Sequence, residues 1–197
     1  MFKNILDRFG ISIEEFTKLV DDNPSLRGFI LGYIGEYKAK SALKSNKDVT
    51  NIYKPDDHNR NSKGDLYITY KGKNFRIEVK SLQTNSVKKL GKDIWNGQYQ
   101  CDASDSRDIS LPNGHTVHTT SLQVGEFDIV AIGLYQFGET WRFAFAKNEL
   151  LPRVKPTKRN HFSEEDATYL IKGTIDIKFP LEKPYTDDIF SLMDSML

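Results

Sequence analysis

A single cysteine, Cys101, among 197 residues leaves no internal disulfide framework and no zinc site built on cysteines. Long apolar runs are missing too. Nothing approaches the roughly 20 consecutive apolar residues of a membrane-spanning helix, and the N-terminus lacks the basic-then-apolar pattern of a secretory leader. A soluble, cytoplasmic protein with no membrane partner is the expectation. Charge of one sign is also lacking. The net charge is +1, so any affinity for a polyanion has to come from local concentration of basic residues. Two stretches are locally basic, 71–92 (with Lys88, Lys89 and Lys92) and 142–159, while Glu182, Asp187, Asp188 and Asp194 make the C-terminal end acidic. Solvated surface charge is the ordinary fate of such stretches.

What is present is a globular composition, with 38% hydrophobic and 12% aromatic residues, unlike a disordered chain. A chain of 197 residues forms one domain, 1–197, with a sizeable core. The most ordered pattern in it runs from Asp65 to Leu82. Asp-Leu-Tyr-Ile-Thr-Tyr and Phe-Arg-Ile-Glu-Val-Lys-Ser-Leu both alternate with period two and flank a Lys-Gly-Lys-Asn turn, the signature of an antiparallel hairpin. Leu66, Ile68 and Tyr70 share one face with Phe75, Ile77 and Val79, provided the loop has two or four residues. Pairing Tyr70 with Phe75 then sets Tyr67 opposite Glu78 and Asp65 opposite Lys80, with Asp65 diagonal to Glu78. Two carboxylates and an ammonium on one face suit a hard divalent cation. Mg²⁺ takes one or two carboxylates and keeps waters, leaving room for a phosphate oxygen. The lysine can stabilise an attacking water or the charge growing on the phosphate. The same residues also fit an ordinary cross-strand ion pair on a solvated face.

Asp65, twelve intervening residues, then Glu78-Val79-Lys80 resembles the PD-(D/E)XK nuclease signature, the catalytic core of many restriction endonucleases. Gly64 stands where that signature has proline. The resemblance implies an α/β fold, a mixed central β-sheet flanked by helices, with the core over about 25–146 and an inserted DNA-recognition segment over about 84–126. It implies Mg²⁺ held by Asp65, Glu78 and the Val79 carbonyl, with Lys80 orienting or deprotonating the attacking water. Glu36, on the helix before the hairpin, matches the family's additional acidic residue, and Gln83 its positioning residue.

The remaining chain is consistent with that order of elements. Residues 1–22 carry the apolar spacing of one or two short helices, with Ile13, Phe16, Leu19 and Val20 on one stripe. After Asn23-Pro24-Ser25 a long helix is expected to about Lys44. Leu26, Phe29, Ile30, Tyr33, Ile34 and Tyr37 form its apolar stripe, and Gly28, Gly32, Gly35, Ala39 and Ala42 a second stripe suited to close backbone approach. Glu36 would otherwise make an exposed i,i+4 pair with Lys40, worth a few tenths of a kcal/mol. Residues 45–64 read as a mobile polar loop. Residues 83–126 are the least periodic, and short helices with a ribbon are expected there. Their Gln, Asn, Arg and His side chains suit base edges, with Gln98, Arg107, Asn113 and His115 as candidates. His115 and His118 lack a third partner for a metal site. Phe127 to Leu134 is a continuous apolar run, the mark of a buried central strand. Trp141–Ala146 and Thr174–Phe179 read as further strands, and Asn148–Leu151 as a helical turn stopped by Pro152.

The function expected is a Mg²⁺-dependent, sequence-specific endonuclease of the type II restriction kind, acting on double-stranded DNA as a two-fold homodimer. A structure-specific junction or repair nuclease would need fewer base-reading side chains. A non-catalytic DNA-binding module would use the acidic cluster as a plain ion-pair network.

Overall fold

The computed structural model describes residues 3–56 and 63–197, so residues 57–62 of the expected polar loop lie outside the described residues. The chain divides into two compact units, Met1–Ile34 and Gly35–Leu197. In the first, α1 (Ile5–Phe9) and α2 (Ile13–Asp22) are short helices with side-chain N-caps from Asn4 and Ser12. Glu15 completes a capping box with Ser12, satisfying two backbone N–H groups that the helix itself cannot. Helix α3 (Pro24–Lys44) begins in this unit and continues into the second.

In the second unit the two-residue turn Lys71-Gly72 fixes the register of everything around it. Both residues have positive φ, 47° and 83°, as a type I′ turn requires and as the twist of the flanking strands favours. Strand β2 (Leu66–Tyr70) therefore pairs with β3 (Lys73–Ser81) through Tyr70↔Lys73, Ile68↔Phe75 and Leu66↔Ile77. The expected Tyr70–Phe75 pairing is displaced by two residues. Because the side-chain period is also two, the faces survive the displacement, and Leu66, Ile68, Tyr70, Phe75, Ile77 and Val79 still share one buried side. What changes is the polar side: Asp65 comes beside Glu78 instead of opposite Lys80.

Strand β1 (Val49–Tyr53) lies within the stretch expected to be a loop and pairs with β2. On the other flank, β3 runs parallel to β8 (Ile129–Gly133), which is antiparallel to β9 (Phe143–Lys147). The result is a five-stranded mixed sheet in the order β1-β2-β3-β8-β9. All of β8 is buried, as its uninterrupted apolar run predicts. The chain thus has a mixed α/β fold, a mixed central sheet with flanking helices. One face packs under Ala39 and Leu43 of α3 and under Ile189 and Met193 of α5 (Ile189–Asp194), so the C-terminal segment docks into the core.

The stripe of α3 that faces the sheet is not the aromatic one. Gly35, Ala39 and Leu43 are its buried positions, while Phe29 and Tyr37 are 69% and 68% exposed. Small side chains let the helix approach closely: a Cβ on Gly35 would lie 3.6 Å from Ser81 Oγ and 3.8 Å from the Trp141 ring. Gly28 and Gly32 have nothing within 4 Å.

The opposite face of the sheet carries the segment expected to hold short helices. The ribbon also expected there is present, but the segment contains no α-helix, only the 3-10 turn Thr84–Ser86. After a 3-10 turn (Thr84–Ser86), β4 (Lys88–Gly91) and β5 (Ile94–Gln100) join β10 (Thr174–Phe179) in a three-stranded sheet, β10-β5-β4. Strands β6 (Asp102–Ser110) and β7 (Thr116–Ser121) form a separate hairpin. Leu82, Tyr99, Val130, Ile132, Ile175 and Ile177 share the core between the layers. Helix α4 (Glu164–Thr168) follows, capped by Ser163. Among the described residues no helix is long and apolar enough to cross a membrane.

Candidate metal and phosphate site

Alternation along β3 puts Glu78 and Lys80 on the face opposite Ile77 and Val79. Glu78 lies beside the fully buried Val130 of β8 and is itself 9% exposed. On the other flank β2 has just begun. The Asp65 N–H donates to the Ile77 carbonyl at 2.9 Å, and Asp65 Oδ2 accepts the Val79 N–H at 2.6 Å. The carboxyl is therefore pinned to the free edge of β3. N–H and C=O of one strand residue point to the same edge, so the Val79 carbonyl also faces this side. Gly64 makes the approach possible. Its φ is +85°, and a Cβ there would lie 3.2 Å from the Ile77 carbonyl oxygen. Proline, locked near −65°, cannot take this conformation, which is a physical reason for the departure from the family signature at this position.

Lys80 Nζ lies 2.7 Å from Glu78 Oε1 and donates to the Asp102 carbonyl at 3.2 Å. Burial opposes the ammonium charge, but the Glu78 and Asp65 carboxylates outweigh it and hold the Lys80 pKa above its ordinary value. Asp65 is also raised, which for a carboxylic acid favours the neutral form. Burial first, then the Glu78 charge, pushes it up to about 7, against Lys80 and the Val79 N–H, with Glu36 adding to the rise. Burial likewise pushes the neighbouring Cys101 thiol up to about 12, which keeps it inert.

The other expected residues are placed as follows. Glu36 does not pair with Lys40; its Oε2 is 2.5 Å from Lys54 Nζ, with side chains 18% and 28% exposed. Gln83 Nε2 donates to Gln100 Oε1 at 3.3 Å, and Gln100 Nε2 donates to Asp102 Oδ2 at 2.8 Å. A row of polar side chains thus connects Gln83 to the residue whose carbonyl holds Lys80. Sequence spacing does not disclose Gln100 or Asp102: Asp102 holds Lys80 through a main-chain oxygen, and the Gln83–Gln100 contact depends on the long-range pairing of β5 beside β3.

The four residues expected to read bases are all engaged within the fold. Gln98 donates to Asp176 at 2.8 Å. Arg107 Nη2 lies 2.5 Å from Glu126, which Lys63 also reaches at 3.1 Å; these side chains line a cavity of about 380 Å³. The Arg107 Nη1 is buried with no hydrogen-bond partner. Asn113 Nδ2 donates to Asp166 at 2.8 Å, and His115 Nδ1 is 3.0 Å from the same oxygen. His118 Nδ1 is 2.8 Å from Asp108.

The donor set can be tested against Mg²⁺. Asp65 Oδ1 and Glu78 Oε2 accept no hydrogen bond among the described residues, Asp65 being held through Oδ2 and Glu78 meeting Lys80 through Oε1. Two free carboxylate oxygens and a strand carbonyl fit an ion that retains much of its water. Repulsion between the two carboxylates, seen in the raised Asp65 pKa, is what such an ion would relieve. Among the described residues no group of three or more His, Cys, Asp or Glu side chains gathers as a metal cage. The fit is to a weakly caged, hydrated cation, not to zinc.

No protein-family model matches the chain, and no curated protein does. Among solved structures it is similar to a bacterial homing endonuclease, at 19% identity and a TM-score of 0.39, over 71% of this chain and 85% of that one. At that distance the likeness carries no inference of its own, and the chemistry has to be read from the side chains.

Proposed function

We propose that the chain is a Mg²⁺-dependent DNA endonuclease of the PD-(D/E)XK type. One observation carries the reading: Asp65 is held by the Val79 N–H beside Glu78, whose Oε1 meets Lys80 and whose Oε2 accepts no hydrogen bond among the described residues. Asp65, Glu78 and the Val79 carbonyl would hold the cation, with Glu36 nearby on α3 if Lys54 releases it. Bound Mg²⁺ supplies charge neutralisation at the scissile phosphate and a more acidic water. Lys80, fixed between Glu78 and the Asp102 carbonyl, orients that water and balances charge on the phosphate. Gln83, through Gln100 and Asp102, keeps the Lys80 acceptor in place.

Within this reading the finer assignment is a sequence-specific enzyme of the type II restriction kind, acting on palindromic sites as a two-fold homodimer. The ribbons between β3 and β8 carry the polar side chains such an enzyme uses on base edges. Gln98, Arg107, Asn113 and His115 would have to exchange their present partners for bases.

The test is incubation with phage DNA at low salt, with Mg²⁺ or with EDTA, followed by a gel. Discrete Mg²⁺-dependent bands that vanish in Lys80→Ala are expected, and a smear would instead indicate a nonspecific or structure-selective nuclease. The 2.7 Å Lys80–Glu78 contact also suits a non-catalytic DNA-binding module with a structural ion pair. Intact DNA across varied sources and methylation states would establish that second reading.

A further inference from the structure

A second concave surface of the Gly35–Leu197 unit lies beside the candidate site. It is a cavity of about 560 Å³ between the β6–β7 hairpin and the segments 154–162 and 172–173. Lys155, Arg159, Lys172, His118 and His161 line it, and none of its twelve lining residues is acidic. The neutral polar residues Thr120 and Ser121 also line it. Three acids adjoin the lining residues and each has a partner: Asp108 with His118 at 2.8 Å, Asp176 with Lys172 at 4.0 Å and with Gln98, and Asp102 with the Gln100 amide at 2.8 Å. Neither Lys155 nor Arg159 has an ion-pair partner among the described residues. In a chain of net charge +1, an acid-free cavity with unpaired cations is a departure from the evenly mixed surface that composition alone would give.

The position of the cavity matters as much as its charge. Ser121 is the β-ladder partner of Asp102. Gly173 accepts the Cys101 N–H at 2.6 Å, and a Cβ on Gly173 would lie 3.8 Å from Asp102 Oδ2. Asp102 is the residue whose carbonyl receives the Lys80 ammonium. Asp102 therefore adjoins both: it neighbours Ser121 and Gly173 of the basic cavity, and its carbonyl holds Lys80 of the carboxylate–lysine cluster.

We infer that this cavity holds backbone phosphates of duplex DNA that flank the bond presented to Lys80, a role resting on the nuclease reading above. Phosphate contacts of this kind position the duplex and carry no sequence information. The cations release counterions on binding, so their contribution is read in the salt dependence of affinity.

The experiment measures binding of a fluorescent 20-base-pair duplex by anisotropy in EDTA, from low to moderate salt, for the full chain and a Lys155→Gln/Arg159→Gln variant. A Lys71→Gln/Lys73→Gln variant, altered at the hairpin turn seven residues along β3 from Lys80, controls for net charge. Thermal melts check that both variants fold. The cavity variant should bind about tenfold or more weakly near 0.1 M salt, with a log–log salt slope smaller in magnitude by about two. The control should keep the wild-type slope. Equal losses in both variants, or unchanged affinity and slope in the cavity variant, would overturn the assignment, as would failure of the wild-type chain to bind duplex. Because no metal is present, the outcome is separate from cutting. A wild type that cuts with Mg²⁺ but ignores the cavity substitutions refutes the cavity alone. A wild type that binds through the cavity yet never cuts refutes the nuclease reading alone.

Discussion

Two carboxyl groups of this protein, Asp65 and Asp166, are both drawn out of bulk water and are driven in opposite directions. Asp166 is surrounded by donors. Asn113 and His115 reach its Oδ1, and the Ser163 N–H reaches its Oδ2. Those donors, Asn113 first, hold its pKa well below the usual carboxylate range. Asp65 receives one N–H, from Val79, and otherwise meets burial and the Glu78 charge, which push it up to about 7. Asp166 ties the β6–β7 turn to the first turn of α4 and has little capacity left for a ligand. At Asp65 the fold withholds the donors that would make a carboxylate comfortable and brings up a second carboxylate instead. Two carboxylates sharing one ammonium, that of Lys80, leave excess negative charge, which makes a place for a cation.

The largest expected effect separates the two groups by activity. Glu78→Gln should lower Mg²⁺-dependent cleavage about a thousandfold or more while leaving duplex binding in EDTA within a few fold. Asp166→Asn should leave cleavage nearly unchanged. The measurement is initial rate on a mapped substrate, paired with anisotropy. Equal losses for the two variants would erase the distinction drawn between them.

The next effect is on stability as pH changes. Asp65 has a folded pKa of about 7 against an ordinary 3.8, so the folded state binds its proton more tightly than the unfolded chain does. Its contribution favours folding below about 4 and is lost as pH rises through 7. Metal-free wild type should therefore lose on the order of 3 kcal/mol relative to Asp65→Asn between pH 4.5 and 8, and Mg²⁺ should restore stability at pH 8 by binding the folded state. Asp166 has the opposite sign. Its pKa is depressed, so its contribution is present above the ordinary carboxylate range and is lost as pH falls below it. Asp166→Asn should remove that acid limb and leave the neutral range as it is in the wild type. Denaturant titrations across pH read both limbs.

The two regions also differ in how much of them the sequence discloses. Period-two alternation places Ile77 and Val79 on one face and Glu78 and Lys80 on the other, and no register change by two residues can alter that. Which carboxylate meets which partner depends on loop length. Lys-Gly-Lys-Asn permits two or four residues, and the positive φ of Lys71 and Gly72 decides for two. On α3 the aromatic stripe is the more hydrophobic, yet Gly35, Ala39 and Leu43 face the sheet. Backbone proximity rather than side-chain hydrophobicity selects the contact, and helical spacing alone does not disclose it. The Asn113–His115–Asp166 network joins residues about 50 positions apart, with no local pattern, so the sequence does not disclose this engagement. Asp102 holds Lys80 through a main-chain oxygen, which any residue type would supply.

The smallest effect compares the backbones that present the two carboxyl groups. Gly64, before Asp65, and Gly114, between Asn113 and His115, both have φ of +85°. Alanine at either position pays for the left-handed conformation, about 1–2 kcal/mol. At Gly114 nothing lies within 4 Å of an added Cβ, so that strain is the whole effect. At Gly64 the Cβ would lie 3.2 Å from the Ile77 carbonyl oxygen, the acceptor of the Asp65 N–H. Relief there requires the strand start to move away from β3, carrying Asp65 with it. Gly64→Ala should thus be less stable than Gly114→Ala by a further increment of about 1 kcal/mol in denaturant melts. It should also weaken Mg²⁺ binding measured by calorimetry, which Gly114→Ala should leave alone. Equal melts and equal Mg²⁺ affinities would mean that the Asp65 carboxyl is held by its Val79 bond alone, independently of the tight backbone approach at Gly64.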